Sequence, residues 1–277
     1  MILTQIKDKL RSLKNTLNYK RHWYGTNLSD VECLVIFMGN PRSGTTLVRS
    51  IIDAHPEAII ANELHILRLL KSSTSWMQIV QGICMNVTKF NADPVWTDYS
   101  YKIDGATLKR KNIRIIGDKR SAGTVHELME HPELAAKLLS CCPVPIKIIR
   151  CVRNPYDVIS TRTVRNGLSL TENMDRYFEI ERNASLLTKE FKPAGVHYVY
   201  HEELINNTEH TIKGLLNFLN LELSKSLLNS YSSMIYKSPN LSRYKLKWSD
   251  DELLKAEEAA QKIPHLGFYL NEDQLVY

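Results

Sequence analysis

The chain has 277 residues, of which 43% are hydrophobic and 24% are charged, and its formal net charge is +6. These values are typical of a soluble globular protein and leave room for one large α/β domain. The small basic excess suits an anionic small molecule, but it is too small to favour nucleic acid as a partner.

Cysteine content and hydrophobic runs bear on metal binding and location. The five cysteines form no C-x-x-C pair, which favours reduced structural thiols and argues against a zinc site. The N-terminus lacks the hydrophobic core of a signal peptide, and no apolar run approaches the roughly 18 residues that span a membrane. We therefore expect a cytoplasmic protein without a metal.

Residues 1–18 predict a basic amphipathic helix, because aliphatic residues from Ile2 to Leu17 fall on one face and lysine or arginine residues on the others. Packing of this face on the domain is the favoured interpretation. Peripheral contact with an anionic membrane surface is the alternative. We assign residues 1–30 to this helix and its lead-in, and residues 31–277 to a single folded domain.

The apolar run from Cys33 to Met38 predicts a buried strand, and Gly39 opens a loop with the spacing of a phosphate-binding loop. A Walker A loop has a lysine where this chain has Thr45, and Arg42 supplies a positive charge from within the loop instead. The helix predicted from Thr45 to Asp53 would direct its first N–H groups at an anion. The predicted phosphate ligands are Arg42, Ser43, Gly44, Thr45 and Thr46.

A second predicted strand, from Ile146 to Val152, ends in a similar way. Pro155 fits the first turn of a helix, so Arg153 lies at the carboxyl edge of the strand, with Ser160 or Thr161 about two turns along. An arginine in this position is often only part of a surface ion pair. Two anion sites at two strand ends, however, suit a nucleotide with two separate phosphate groups.

Further strands are predicted at residues 113–116 and 196–200, and helices at residues 64–70, 122–139, 156–164, 172–191, 208–219 and 250–262. Strands that alternate with helices indicate parallel pairing, with helices on both faces of the sheet. The predicted fold class is therefore α/β, with three layers around a central parallel sheet. Ligands of such sheets bind beyond the carboxyl ends of the strands.

The two phosphate motifs, Pro41 to Leu47 and Val152 to Ile159, resemble the 5′- and 3′-phosphate motifs of sulfotransferases that use 3′-phosphoadenosine 5′-phosphosulfate (PAPS). Asp53 to Pro56 and Asn62 to His65 are similar to the protein-tyrosine sulfotransferase branch and its bacterial relatives. The resemblance covers nearly the whole chain. It implies a P-loop-like α/β fold and sulfuryl transfer, with PAPS as co-substrate and 3′-phosphoadenosine 5′-phosphate (PAP) as product.

The resemblance also implies roles for residues that bind the donor. Arg42 would bind the 5′-phosphosulfate, and Lys119 would be the second cation near the transferring group. Arg153 would hold the 3′-phosphate. The family's serine eight residues after that arginine falls on Thr161, with Ser160 beside it.

A basic segment from Leu241 to Trp248 resembles the one with which relatives close over the nucleotide. Arg243 and Lys245 are the predicted contacts, and Lys247 is the alternative in another register. An exposed basic loop is the simpler interpretation of the same residues.

Glu63 is the candidate general base, which is the role that the resemblance gives to its position. A carboxylate that takes the acceptor proton is worth about 10²–10⁴-fold in rate, and cations stabilise a loose transition state. His55 and His65 are competing bases, but His55 fits a helix cap better. His65 stands where tyrosine-directed enzymes carry an arginine for an acidic peptide, which weakens the case for tyrosine specificity.

The acceptor pocket is predicted between residues 68 and 101, where aromatic residues are concentrated. Candidate acceptor contacts are His65, Trp76, Trp96 and Tyr99. A hydroxyl of a carbohydrate or glycolipid is the expected acceptor, and a tyrosine or other phenol is the alternative. A P-loop kinase or NTPase and a non-catalytic nucleotide-binding protein also stay open, although Thr45 argues against the former. The oligomeric state cannot be read from this pattern.

Overall fold

The computed structural model describes residues 28–72, 75–92, 110, 112–191 and 194–270. The predicted amphipathic helix of residues 1–18 lies outside these ranges, so that helix and the boundary at residue 30 stay predictions. Five strands form the described sheet: β1 Cys33–Phe37, β2 Ala58–Asn62, β3 Ile115–Lys119, β4 Ile146–Val152 and β5 Gly195–Tyr200.

Eleven α-helices surround the sheet within the described residues. They are α1 Thr45–Asp53, α2 Ile66–Leu69, α3 Trp76–Ala92, α4 Ala122–Glu130, α5 Glu133–Cys141, α6 Pro155–Asn166, α7 Leu170–Glu190, α8 His201–Asn206, α9 Thr208–Phe218, α10 Lys225–Met234 and α11 Asp250–Gln261. Two short 3-10 helices, Ser242–Lys245 and Pro264–Tyr269, flank α11. In this part of the chain, no helix is both long enough and apolar enough to cross a membrane.

The strands are all parallel and lie in the order β2-β3-β1-β4-β5. The chain leaves β1 towards one edge to form β2, returns to fill the gap with β3, and then adds β4 on the other side of β1. Because the strands are parallel, all their carboxyl ends lie at one edge of the sheet. The chain places β2 and β3 on one side of β1, and β4 and β5 on the other, so the direction of winding changes at β1. Open parallel sheets bind ligands at this kind of switch point.

Helices cover both faces of the sheet, because each central strand is apolar on both sides. Leu34 and Ile36 of β1 belong to a core with α3, α4, α5 and α7. Val35 and Phe37 belong to a second core with α1, α8, α9 and α10. Strands buried on both faces are continuous hydrophobic runs, as expected of a parallel sheet. The predicted three-layer α/β class is confirmed.

Several elements of the structure differ from the sequence predictions. Helices α3, α8 and α10 were not predicted. Strand β2 was not predicted either, because it has only five residues, two of them alanine, and its pairing with β3 defines it. The single helix predicted at residues 122–139 is two helices, α4 and α5, which meet at Pro132. Proline lacks an N–H group and clashes with the preceding turn, so it ends one helix and begins the next.

Candidate active site

The loop between β1 and α1 has the backbone of an anion-binding site. Arg42 and Gly44 have positive φ angles of 69° and 82°, and Gly44 is the residue at which α1 begins. No side chain caps this helix end, and its first turn contains no acidic residue. The first N–H groups of α1 therefore face the loop with the positive end of the helix dipole.

A buried carboxylate fixes the loop to the body of the domain. Asn40 donates from Nδ2 to Glu181 Oε1 at 2.9 Å and to the Tyr177 carbonyl at 3.0 Å. Glu181 also accepts hydrogen bonds from Arg150 and, at 2.7 Å, from His265. Burial alone raises the pKa of Glu181, but His265 and Arg150 outweigh it and hold the pKa below its ordinary value. Glu181 is thus an ionised anchor for the loop.

The second motif begins α6 at the end of β4, next to the first. Asn154 is the N-cap, and its side chain accepts a hydrogen bond from Tyr156 N at 3.0 Å. Arg153 extends across the edge of the sheet, where it donates to the Arg42 carbonyl at 3.3 Å and to the Asn240 carbonyl. The two motifs predicted from separate strand ends are therefore in direct contact.

A cavity of about 530 Å³ lies between the two motifs and is lined by Arg42, Arg153 and Lys245. No carboxylate of the described residues forms an ion pair with any of these three cations. Ser43 Oγ and Arg153 Nε are buried without a hydrogen-bond partner. Buried donors without a hydrogen-bond partner, together with cations without an acidic partner, fit an anionic ligand of nucleotide size.

The alternatives left open by the sequence occupy different places. Thr161 and Lys245 line the cavity. Ser160 is fully buried, and its Oγ accepts from Trp248 Nε1 at 3.1 Å. Arg243 does not line the cavity: it pairs with Asp157, with Nη2 and Oδ2 3.0 Å apart. Ser160 and Arg243 thus tie the segment before α11 to α6, and Lys247 is exposed.

His201 is a site residue that sequence reasoning missed. It begins α8 directly after β5, lines the cavity, and has no hydrogen-bond partner for Nδ1. A Cβ atom on Gly44 would lie 2.6 Å from this nitrogen, so the glycine leaves room for the ring. Burial, helped by the nearby charge of Arg153, lowers the pKa of His201 to about 4. The rule that ligands bind at strand ends, applied to β5, would have pointed to this residue.

The predicted base and second cation lie together at the ends of β2 and β3. Lys119 ends β3 and donates from Nζ to Glu63 Oε1 at 3.0 Å, while Arg120 donates to Oε2 at 2.6 Å. Burial raises the pKa of Glu63, but the two cations outweigh it, so the pKa lies below its ordinary value. The Glu63 side chain is 42% exposed and the Lys119 side chain only 4%. A carboxylate within reach of an acceptor is therefore held by a buried cation.

The turn that carries Glu63 has an unusual backbone. Glu63 and His65 both have left-handed φ angles, of 56° and 64°, and each such residue costs roughly 1–2 kcal/mol. Asp118 accepts hydrogen bonds from the N–H groups on either side of His65, those of Leu64 and Ile66. These bonds help the turn to keep its shape.

The competing histidines differ in their contacts. His55 is buried beyond α1, where Nε2 lies 3.0 Å from the Glu222 carbonyl and Nδ1 accepts from Glu57 N. Its contacts are those of a structural residue at a helix end. His65 is half-buried beside Glu63 and precedes α2. Burial lowers the pKa of both rings.

The acceptor side is described only in part. Trp76 begins α3 and packs, partly buried, against the core. Trp96, Tyr99 and Tyr101 lie outside the described residues, so their roles stay predictions. Among the described side chains, no group of three or more His, Cys, Asp and Glu residues could hold a metal ion.

The chain is similar in sequence to proteins that are named as sulfotransferases. A chicken (Gallus gallus) protein named protein-tyrosine sulfotransferase 2 is 24% identical over 81% of this chain, which spans 61% of its length. A Caenorhabditis briggsae protein that carries the provisional name of protein-tyrosine sulfotransferase is 25% identical over 87% of this chain and 91% of its own.

One solved structure has a similar fold. The sulfotransferase domain of the Synechococcus PCC 7002 olefin synthase superposes with a TM-score of 0.53 over 87% of this chain and 98% of its own, at 16% identity. The model of the sulfotransferase family matches residues 35–225, which is more than half of the chain and contains the end of β1, both phosphate motifs, Glu63 and Lys119. The chain belongs to the sulfotransferase family, and it is a transferase enzyme.

Proposed function

We propose that the enzyme transfers the sulfuryl group of PAPS to an acceptor hydroxyl. The observation that carries this proposal is the convergence of two phosphate motifs on one cavity, where Arg42, Arg153 and Lys245 have no acidic partner among the described residues. A donor with phosphate groups at both ends needs two such clusters. Membership of the sulfotransferase family supports PAPS as that donor.

Different cavity residues would bind the two ends of the donor. The loop of Arg42 and Ser43, with the first N–H groups of α1, would hold the 5′-phosphosulfate. Arg153 and Thr161 would hold the 3′-phosphate, with Lys245 at the rim. PAPS would supply the activated sulfuryl group.

On the acceptor side, Glu63 would take the hydroxyl proton on one of its carboxylate oxygens. Lys119 keeps the carboxylate ionised and lies on the strand next to β1. When Lys119 turns to an anion on the donor side, Oε1 of Glu63 is released for the acceptor. A positioned base of this kind accounts for about 10²–10⁴-fold in rate.

The acceptor class is the least defined part of the proposal. A hydroxyl of a carbohydrate or glycolipid is the first candidate, as the aromatic content of residues 68–101 suggests. A tyrosine or other phenol is the second, and the names of the relatives favour it. Action in the cytoplasm, with or without a membrane surface, stays a prediction.

The direct test is isotope-labelled sulfate transfer from PAPS into an extract of the native host, followed by separation of lipid, polysaccharide and protein fractions. Label in one fraction names the acceptor class. Calorimetry with PAP, and with ATP and magnesium as the comparison, tests the donor separately. Failure of the purified enzyme to bind PAP, or preferential turnover of ATP, would overturn the proposal.

A further inference from the structure

We propose that Asp118 is a positioning residue that fixes Glu63 for proton transfer. The inference rests on the proposed role of Glu63 as base. Asp118 is the penultimate residue of β3 and only 2% exposed, so it does not itself reach an acceptor. Its carboxylate instead lies beneath the turn that carries Glu63.

Two hydrogen bonds to Asp118 hold the part of the turn that follows Glu63 in the chain. Leu64 N donates to Oδ1 at 3.0 Å, and Ile66 N donates to Oδ2 at 3.1 Å. On the near side, Glu63 N donates to the Lys119 carbonyl at 3.0 Å and so continues the ladder between β2 and β3. The backbone of Glu63 is therefore held from both sides by β3.

The turn needs this support because its backbone is unfavourable. Glu63 and His65 have positive φ angles, and neither is a glycine. Conformations of this kind persist only where the surrounding structure imposes them. If the carboxylate were lost, both residues would relax to ordinary angles and carry the Glu63 side chain away from Lys119.

A carboxylate is required rather than an amide, because each oxygen accepts from a different N–H group. An asparagine at this position can offer one oxygen, but its NH₂ group would face the second N–H donor. Asp118→Asn keeps the volume of the side chain and removes one of the two contacts. It therefore tests the positioning role with little change in packing.

The charged groups around Asp118 come from every neighbouring element. They are Lys119 and Arg120 on the same segment, Arg49 of α1, Glu63 and His65 of the turn, and Glu127 of α4. Burial raises the pKa of Asp118 to about 6, against the backbone hydrogen bonds that lower it. Above that value the carboxyl group is ionised, and both of its oxygens can accept hydrogen bonds.

The test compares Asp118→Asn with Asp53→Asn as a matched control. Asp53 is a buried carboxylate that accepts Ile60 N of β2 at 2.9 Å and pairs with Arg49 and Arg110, so it too supports β2 but does not bind the N–H groups of Leu64 and Ile66. We expect Asp118→Asn to increase amide exchange at Leu64 and Ile66 by about tenfold, and to lower kcat for labelled sulfate transfer by about 10–100-fold. PAP affinity should change less than about twofold, and Asp53→Asn should leave exchange in the turn unchanged.

Three results would overturn the inference: unchanged exchange in the turn, a looser turn with unchanged kcat, or the same loss of kcat in folded Asp53→Asn protein. A wild-type enzyme that fails to bind PAP would instead refute the proposed function, since exchange is measured without donor or acceptor. If Asp118→Asn does not fold, the wild-type exchange of Leu64 and Ile66 replaces it. Both amides must then exchange at least about tenfold more slowly than the same residues in an unfolded peptide, or the inference is wrong.

Discussion

The cations at the two halves of the carboxyl edge of the sheet have different partners. Beyond β1 and β4, Arg42 and Arg153 face a cavity, and no carboxylate of the described residues pairs with them. Beyond β2 and β3, Lys119 and Arg120 both bind Glu63. The cations of the first half are therefore available to an anionic ligand, whereas the two cations of the second half share one carboxylate.

Buried carboxylates position the loops beyond β1 and β4 by accepting hydrogen bonds from side-chain or main-chain N–H groups. Glu181 anchors Asn40 of the first loop, and Glu202 accepts from Asn154 N at 3.2 Å in the second. Asp157 accepts from Arg243 N at 2.8 Å. Such anchors position a loop without adding a charge to the cavity, because each is itself hydrogen-bonded and buried.

The largest effect expected is that of Glu63→Gln. The amide cannot take the acceptor proton, so the transfer rate should fall by about 10²–10⁴-fold, while calorimetric affinity for PAP stays within about threefold. Glu57→Gln is the control, since Glu57 is a surface carboxylate paired with Arg114. Wild-type transfer rates in Glu63→Gln would show that the half beyond β2 and β3 does not contain the base.

Arg153→Ala tests the half beyond β1 and β4. The variant removes a buried cation that reaches across both motifs, and we expect PAP to bind at least about 30-fold more weakly, from the roughly 2–5 kcal/mol lost with a buried charged partner. Isothermal titration calorimetry with PAP measures this. We expect Lys245→Ala, at the exposed rim, to weaken PAP binding less than Arg153→Ala does. Equal losses of affinity would mean that the cavity does not distinguish the two cations.

Gly44→Ala tests the geometry of the first loop. Its Cβ would lie 2.6 Å from His201 Nδ1 at a φ of 82°, so both PAP affinity and the free energy of unfolding should fall, the latter by about 1–3 kcal/mol. Gly167→Ala is the matched control, because its φ is 70° but no atom lies within 4 Å of the added carbon. Equal effects in urea denaturation would show that contact with His201 adds nothing.

The smallest effect concerns the pH dependence of the second half. Lys119 and Arg120 hold the pKa of Glu63 below its ordinary value, so removal of one cation should raise it. In Arg120→Gln, we expect the acid limb of kcat/KM to move to higher pH by up to about one unit. An unmoved limb, with Glu63→Gln inactive, would mean that Arg120 does not influence the base.

The same pKa direction makes a statement about stability. Because the pKa of Glu63 is lower in the folded chain than in the unfolded one, its ion pairs stabilise the fold above the unfolded pKa, and this contribution is lost as the pH falls through the folded value. Between the folded and unfolded pKa values of Glu63, the free energy of unfolding of Arg120→Gln should therefore change less with pH than that of the wild type. Equal slopes of unfolding free energy against pH would contradict this.

Local patterns predicted much of the fold. The apolar run before Gly39 and the glycine spacing after it placed β1, the loop and α1, and Pro155 placed the start of α6. The family resemblance, which depends on these two motifs, is confirmed by the family model. Roles of single residues in binding and catalysis stay predictions, because no comparison tests them.

Other features have no local signal. Strand β2 is short and is defined by its pairing with β3. The break at Pro132, by contrast, has a local signal, but the hydrophobic pattern that continues across the proline hid it. His201 enters the cavity only because β5 lies beside β4. Pairing partners and neighbouring strands are distant in the chain, so spacing alone does not reveal them.

The sequence by itself determined the class of enzyme and the donor-side motifs, since each motif is a strand, a turn and a helix start within about a dozen residues. Only the tertiary structure decided that the two motifs share one cavity, that Arg243 pairs with Asp157, and that Asp118 supports the turn of Glu63. Asp118 and Leu64 are 54 residues apart in the chain. Contacts of this kind depend on the order of the strands in the sheet, which no local pattern specifies.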